Sequence, residues 1–221
     1  MYRYIFLDLD KTIFDFDAAE NEAIREVFKS EDLTITDDLF AEYKQINQAT
    51  WRKLETGELT KKEVITKRFE LFFERHHIKV DGVQKDRLFR SVLESNTQLI
   101  DGAHSLLEYL QNKDYIVCSA SNGVYETQMK RLKGTQLFDY FDHHFISEEI
   151  GYDKPHVEFF EQAIERLGNI DKKQILMVGD SLTSDIEGAN RAKIDACYFG
   201  EASNHTAKYQ INTLQALKEI L

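Results

Sequence analysis

Tyr4-Ile5-Phe6-Leu7-Asp8-Leu9-Asp10-Lys11-Thr12 runs from four apolar residues straight into two carboxylates. The pattern recurs. Tyr115-Ile116-Val117-Cys118 leads into Ser119-Ala120-Ser121-Asn122-Gly123, and Ile175-Leu176-Met177-Val178 into Gly179-Asp180-Ser181, with Asp185 following. Two more runs, His144-Phe145-Ile146 and Ala196-Cys197-Tyr198-Phe199, have the length and the β-branched or aromatic content of strands. Helical spacing separates them: Leu106, Leu107 and Leu110 within 103–111, then Phe159, Phe160, Ala163, Ile164 and Leu167 within 157–167, with shorter candidates at 183–192 and Thr213 to Leu221. Strand alternating with helix predicts an α/β protein with a Rossmann-like three-layer core and a mainly parallel sheet. In such a sheet the carboxyl ends of the strands share one edge, so the polar residues after each run converge in one crevice.

From residue 17 to residue 96 the period changes. Ala19, Ala23, Ile24, Val27 and Phe28 form one helical stripe; Phe40, Tyr43, Asn47, Thr50, Trp51 and Leu54 a second. Val64, Ile65, Phe69, Phe72 and Phe73 form a third, and Leu88, Phe89, Val92 and Leu93 a fourth. Thr60 and Glu63 have capping-box spacing, and Gly57 and Gly82 fall where connections are expected. The expected organisation is a core of residues 1–16 and 97–221 interrupted by a four-helix domain at 17–96.

Composition narrows the partners. The chain has 221 residues, 42% hydrophobic and 30% charged, which suits a globular protein. Its 28 Lys and Arg against 39 Asp and Glu give a net charge of −11, which disfavours a nucleic-acid or anionic-membrane surface. The two cysteines, Cys118 and Cys197, form neither a disulfide framework nor a thiolate metal site. Aspartate occurs by position 8, and no run approaches the roughly 18 apolar residues of a membrane span, so a cytoplasmic protein is expected.

The motifs together resemble the haloacid-dehalogenase-like superfamily of phosphatases. Asp8-Leu9-Asp10-Lys11-Thr12 is similar to its DxDxT motif, Ser121-Asn122-Gly123 to the second motif, Lys154 in Gly151-Tyr152-Asp153-Lys154-Pro155 to the third, and Gly179-Asp180 with Asp185 to the acidic fourth. A phosphate monoester resists attack through its negative charge and poor leaving group, so a site must supply a nucleophile, an acid and positive charge. The resemblance makes Asp8 the nucleophile and Asp10 the acid and then the base. Ser121 and the Asn122 N–H would hold phosphoryl oxygens, with Lys154 offsetting charge. Asp8, the Asp10 carbonyl and Asp180 would ligate Mg²⁺, and Asp185 would contact a metal-bound water or orient Lys154. Ser119 is a competing hydroxyl, set aside because Ser121 is the one that precedes Asn-Gly. Lys11 and His156 depart from the family's usual residues at positions not expected to do chemistry.

The helical insert resembles the family's first cap type, which closes over small substrates. Trp51 to Thr60 with Arg68, and the run from Asp10 to Phe16, are similar to its nucleoside 5′-monophosphatase branch, which includes pyrimidine nucleotidases. Trp51 could stack on a nucleobase, with Arg52 or Arg68 meeting polar edges or phosphate, or could fill the cap's own core. The expected enzyme is therefore a phosphatase acting on a small phosphorylated metabolite, a nucleotide above all, as a monomer or weak homodimer. Phosphoglycolate, sugar phosphates and pyrophosphate are alternative substrates. A haloacid dehalogenase is disfavoured by Asp10, and a non-catalytic binding module by the complete set of motif residues.

Overall fold

The computed structural model describes residues 1–202 and 206–221. The chain divides into two compact units, Met1–Phe16 with Thr97–Leu221, and Asp17–Asn96.

The first unit begins with β1 (Tyr4–Leu7). The second then holds α1 (Phe16–Lys29), α2 (Asp37–Glu55), α3 (Lys61–Arg75) and α4 (Gly82–Ser95). The first resumes with α5 (Ala103–Asn112), β2 (Ile116–Ser121), α6 (Tyr125–Gly134), β3 (His143–Ile146), the single turn α7 (Ser147–Ile150) and α8 (Val157–Arg166). It closes with β4 (Ile175–Gly179), a π-turn at Leu182–Glu187 running into α9 (Gly188–Arg191), β5 (Asp195–Phe199), β6 (Tyr209–Ile211) and α10 (Leu214–Ile220).

The six strands form one sheet in the order β3-β2-β1-β4-β5-β6, every neighbour parallel, which bears out the expected fold class. Period-two alternation builds its two faces. Ile5, Leu7, Val117 and Val178 pack on one face with Leu106, Leu107 and Leu110 of α5, Leu132 of α6 and Leu214 and Leu217 of α10. Tyr4, Phe6, Cys118 and Met177 pack on the other with Phe159, Phe160 and Ala163 of α8 and Ala189 of α9. Because β1 is central, with β2 on one side and β4 on the other, the chain reverses its order of winding there. That reversal opens the crevice at the carboxyl edge.

Three elements go beyond the sequence reading: the single turn α7; β6, three residues at the sheet edge; and α6, whose buried residues are Thr127, Gln128, Met129, Arg131 and Leu132. The second strand also extends past Cys118, so that Ser119 and Ser121 both lie within β2.

The helical unit has its own core. Phe28 stacks on Phe72 at 4.6 Å between ring centroids, and Tyr43 on Phe69 at 5.5 Å. Thr36, Thr60 and Asp81 cap the N-termini of α2, α3 and α4, Thr60 through a complete capping box. Trp51 is half-buried on α2, whose fully buried positions are Tyr43, Ile46, Asn47, Thr50 and Leu54. Arg68, considered above as a contact for a substrate, is 3% exposed. Its guanidinium donates to Asp86 at 2.8 Å and Asn47 at 3.3 Å, and lies over the rings of Phe69 and Phe89. The fork is thus engaged within the unit itself.

A buried ion pair is fragile when one partner alone is removed, because the other charge stays behind. Arg68→Met should destabilise the helical unit by about 3 kcal/mol, Arg90 still compensating Asp86 in part. Arg68→Met/Asp86→Leu should lose less than the single variant. Urea unfolding followed by fluorescence of Trp51, the chain's single tryptophan, reads this unit directly.

Candidate active site

The carboxyl edge around β1 gathers the polar ends of three strands. Asp8 leaves β1 with its N–H bonded to the Val178 carbonyl at 2.9 Å, so the turn stays attached to the sheet. The chain then closes a tight loop: Lys11 N–H donates to Phe14 O, and the N–H groups of Ile13 and Phe14 to Leu9 O. Lys11 takes φ +65°, a left-handed conformation that costs a side-chain-bearing residue about 1–2 kcal/mol. Asp10 is turned to the side, towards α6.

At the centre is Lys154, 1% exposed. Its ammonium donates to Asp8 Oδ1 at 2.8 Å, to Asp185 Oδ1 at 2.6 Å and to the Ala120 carbonyl. Three acceptors match the three protons of an ammonium. Asn122 fixes the backbone beneath it: Lys154 N–H donates to Asn122 Oδ1 and Asn122 Nδ2 donates to Lys154 O, each at 2.8 Å. Asp185 is held from its other side by the Ser181 N–H at 3.0 Å. The π-turn carries it there, with the N–H groups of Asp185 and Ile186 both bonded to Ser181 O. Gly179 leaves it room, since a Cβ at that position would run into the Asp185 carboxylate.

Ser121, 1% exposed, accepts from the Gly123 N–H and from Gln128 Nε2, each at 3.0 Å. Both lone pairs of the hydroxyl are thereby occupied, and its proton is free to be donated. Ser119, in contrast, pairs with His144 Nδ1 at 3.1 Å.

Asp8, Asp180 and Asp185 each offer a carboxylate oxygen within 4.8 Å of the others. Burial raises the Asp8 carboxyl well above its ordinary range; Lys154 opposes the rise, and Asp185, Asp180 and Asp10 add to it. Burial and then Asp185 push Asp180 up to about 7, against the pull of Lys11 and Lys154. Burial works against the Lys154 ammonium, but Asp185 and Asp8 outweigh it and its pKa rises. The local charge is out of balance. Such an all-oxygen donor set with surplus negative charge suits a hard divalent cation, and Mg²⁺ fits it.

The structure thus brings Asp8, Asp10, Ser121, Asn122, Lys154, Asp180 and Asp185 to one sheet edge. It adds two residues that hydrophobic spacing did not mark, Gln128 and Arg131 of α6. Gln128 Nε2 donates to Asp10 Oδ2 at 2.6 Å, and Arg131 Nη1 pairs with Asp10 Oδ1. Lys11, set aside in the sequence, adds positive potential at Asp180.

The family model described as haloacid dehalogenase-like hydrolase matches residues 2–193. The chain belongs to that family of hydrolases. It is 38% identical to the HAD-hydrolase YfnB of Bacillus subtilis, over 100% of this chain and 95% of that protein. It is 34% identical to the pyrimidine 5′-nucleotidase PynA of Streptococcus pneumoniae, over 100% and 95% of the two chains. To the pyrimidine 5′-nucleotidase YjjG of Escherichia coli it is 31% identical, over 99% and 97%. The crystal structure of YfnB bound to magnesium superposes with a TM-score of 0.95 over 99% of this chain and 98% of that one. These matches bear out the resemblance drawn from the motifs, and with it the expectation of an enzyme.

An acid whose folded-state pKa lies above its unfolded value opposes folding wherever the carboxyl must ionise. For Asp180, raised from 3.8 to about 7, that penalty is absent near pH 4 and grows as pH rises towards 7. In EDTA, Asp180→Asn should therefore be more stable than the parent at pH 7.5, by on the order of 1–3 kcal/mol. The gain should disappear near pH 4, as followed by urea denaturation across that range.

Proposed function

We propose that this protein is a Mg²⁺-dependent phosphomonoester hydrolase that acts through an aspartyl-phosphate on Asp8, with nucleoside 5′-monophosphates as substrates. The observation that carries the reading is the Asp8 carboxylate paired with the buried Lys154 ammonium, with Asp10 two residues on and the Ser121 hydroxyl poised to donate. Full-length similarity to two proteins named pyrimidine 5′-nucleotidases supports the substrate class.

In the first step an Asp8 carboxylate oxygen attacks phosphorus, the ester P–O bond breaks, and Asp10 gives its proton to the departing oxygen. In the second, water attacks the same phosphorus, the Asp8–phosphorus bond breaks, and Asp10 takes the water's proton, restoring both residues. Ser121 and the Asn122 N–H hold phosphoryl oxygens, while Lys154 steadies the charge that passes between Asp8 and the phosphoryl group. Mg²⁺, held by Asp8, Asp180 and the Asp10 carbonyl, would neutralise phosphoryl charge and relieve the repulsion among the carboxylates. Asp185 orients Lys154. The helical unit acts as a cap that selects the leaving group, with Trp51 as its nucleobase contact.

The setting of this reaction is the cytoplasm. Two buried free cysteines support it, and among the described residues no helix is long and apolar enough to cross a membrane.

Phosphate release with Mg²⁺ from a panel of purine and pyrimidine nucleoside 5′-monophosphates, phosphoglycolate, hexose phosphates and pyrophosphate tests the substrate class. A preference in kcat/KM of tenfold or more, about 1.4 kcal/mol, for nucleotides is expected. A preference for the small phosphates would overturn the nucleotide assignment. Asp8→Asn should lower turnover at least 1,000-fold with its circular dichroism unchanged, and EDTA should stop turnover until Mg²⁺ is returned. Turnover in metal-free enzyme would remove the ligand assignment.

A further inference from the structure

Asp10 is gripped from α6 by two residues that the proposed mechanism leaves without a part. Its side chain is 28% exposed, yet both carboxylate oxygens are engaged, Oδ1 by Arg131 Nη1 and Oδ2 by Gln128 Nε2 at 2.6 Å. The two residues lie three apart and so share a helix face. Gln128 Oε1 accepts from Arg131 Nη1 at 3.3 Å, and Gln128 Nε2 also donates to Ser121 Oγ, so these three amide contacts agree with one orientation of the side chain.

A guanidinium in this place is poor structural material. Arg131 is 1% exposed, and its Nε and Nη2 are buried without a hydrogen-bond partner among the described residues. Leaving such donors unmet is destabilising, a loss that an apolar side chain of similar volume would avoid. The centroid of the Phe14 ring lies 4.0 Å from its Cζ, a cation–π contact that does not satisfy those two nitrogens. The fork therefore serves Asp10 more than it serves the core.

We infer that Arg131 and Gln128 are positioning residues: they hold the Asp10 carboxylate at the place from which it exchanges a proton, and Gln128 ties that place to the phosphoryl-binding hydroxyl of Ser121. The inference rests on the proposed role of Asp10. A proton donor must lie about 2.6–3.2 Å from its target, and a displacement of about 1 Å can lower a rate roughly 100-fold. An unclamped aspartate has two side-chain torsions free to take it out of that range.

The test is a double-mutant cycle on kcat, with uridine 5′-monophosphate and phenyl phosphate as probes in the presence of Mg²⁺. Arg131→Met should lower kcat on the order of 100-fold with KM changed less than about threefold, and Arg131→Lys should recover at least a tenth of the parent rate. In the Asp10→Asn background Arg131→Met should cost no more than about threefold further, because the two residues act as one unit. Loss of the full factor in that background would overturn the inference while leaving Asp10 in its role. An active Asp10→Asn enzyme would remove both the role and the inference built on it. Gln128→Leu strands no buried charge and serves as the second probe if Arg131→Met does not fold. It should lower kcat about tenfold, again without further effect in Asp10→Asn, and a parental rate in folded Gln128→Leu would count against the clamp.

Discussion

A buried ammonium between two buried carboxylates is the constraint around which this sheet edge is arranged. Taking Lys154, Asp8 and Asp185 out of water separately would cost several kcal/mol per ion, and only close mutual contact makes the burial tolerable. Each neighbouring feature serves that contact. Asn122 pins the Lys154 backbone, the absent side chain of Gly179 admits Asp185, and the π-turn brings Asp185 back beneath the end of β4. The parallel sheet supplies what local structure cannot: it brings Asp8, the Ala120 carbonyl and Lys154 together although Asp8 and Lys154 are 146 residues apart. One ammonium does not balance the carboxylates gathered there; burial raises Asp8 and Asp180 first, and repulsion from the neighbouring carboxylates adds to the rise. Such surplus negative charge on oxygen donors suits a divalent cation.

The sequence reading succeeds where a residue's place follows from period and fails where function reverses the period. The unbroken apolar run Tyr4-Ile5-Phe6-Leu7 reports a strand covered on both faces, and the 3.6-residue stripes from Ala19 to Leu93 report four helices, because apolar burial decides both. Helix α6 has no such stripe. Its buried face carries Thr127, Gln128 and Arg131 beside only two apolar residues, Met129 and Leu132, and a helix that turns so many polar groups inward looks like a loop to any hydrophobic count. The signal available was the i, i+3 spacing of Gln128 and Arg131 soon after Ser121-Asn122-Gly123. Strand β6 was illegible for a simpler reason, being three residues long at an edge.

Arg68 shows the complementary difficulty. An arginine near an aromatic in a cap-like insert suggests a contact for an anion, but its partner Asp86 lies 18 residues on, on the next helix, and only the packed bundle joins them. Lys11 is the reverse case. Its position departs from the family's usual residue and is not expected to do chemistry, yet its charge reaches Asp180, and its left-handed backbone occupies a conformation that glycine adopts without strain. Residue type and motif together identify the reacting groups; which charges surround them depends on contacts that span the whole chain.

The proposed reaction depends on covalent chemistry at Asp8. Quenching the enzyme during turnover with borohydride reduces an acyl phosphate to an alcohol, so an aspartyl-phosphate at residue 8 would be recovered as homoserine in the peptide containing Leu7, Asp8 and Leu9. Peptide mass spectrometry should find that conversion at residue 8 alone, dependent on substrate and on Mg²⁺. Conversion at another carboxylate, or rapid turnover with residue 8 always recovered as aspartate, would contradict the account.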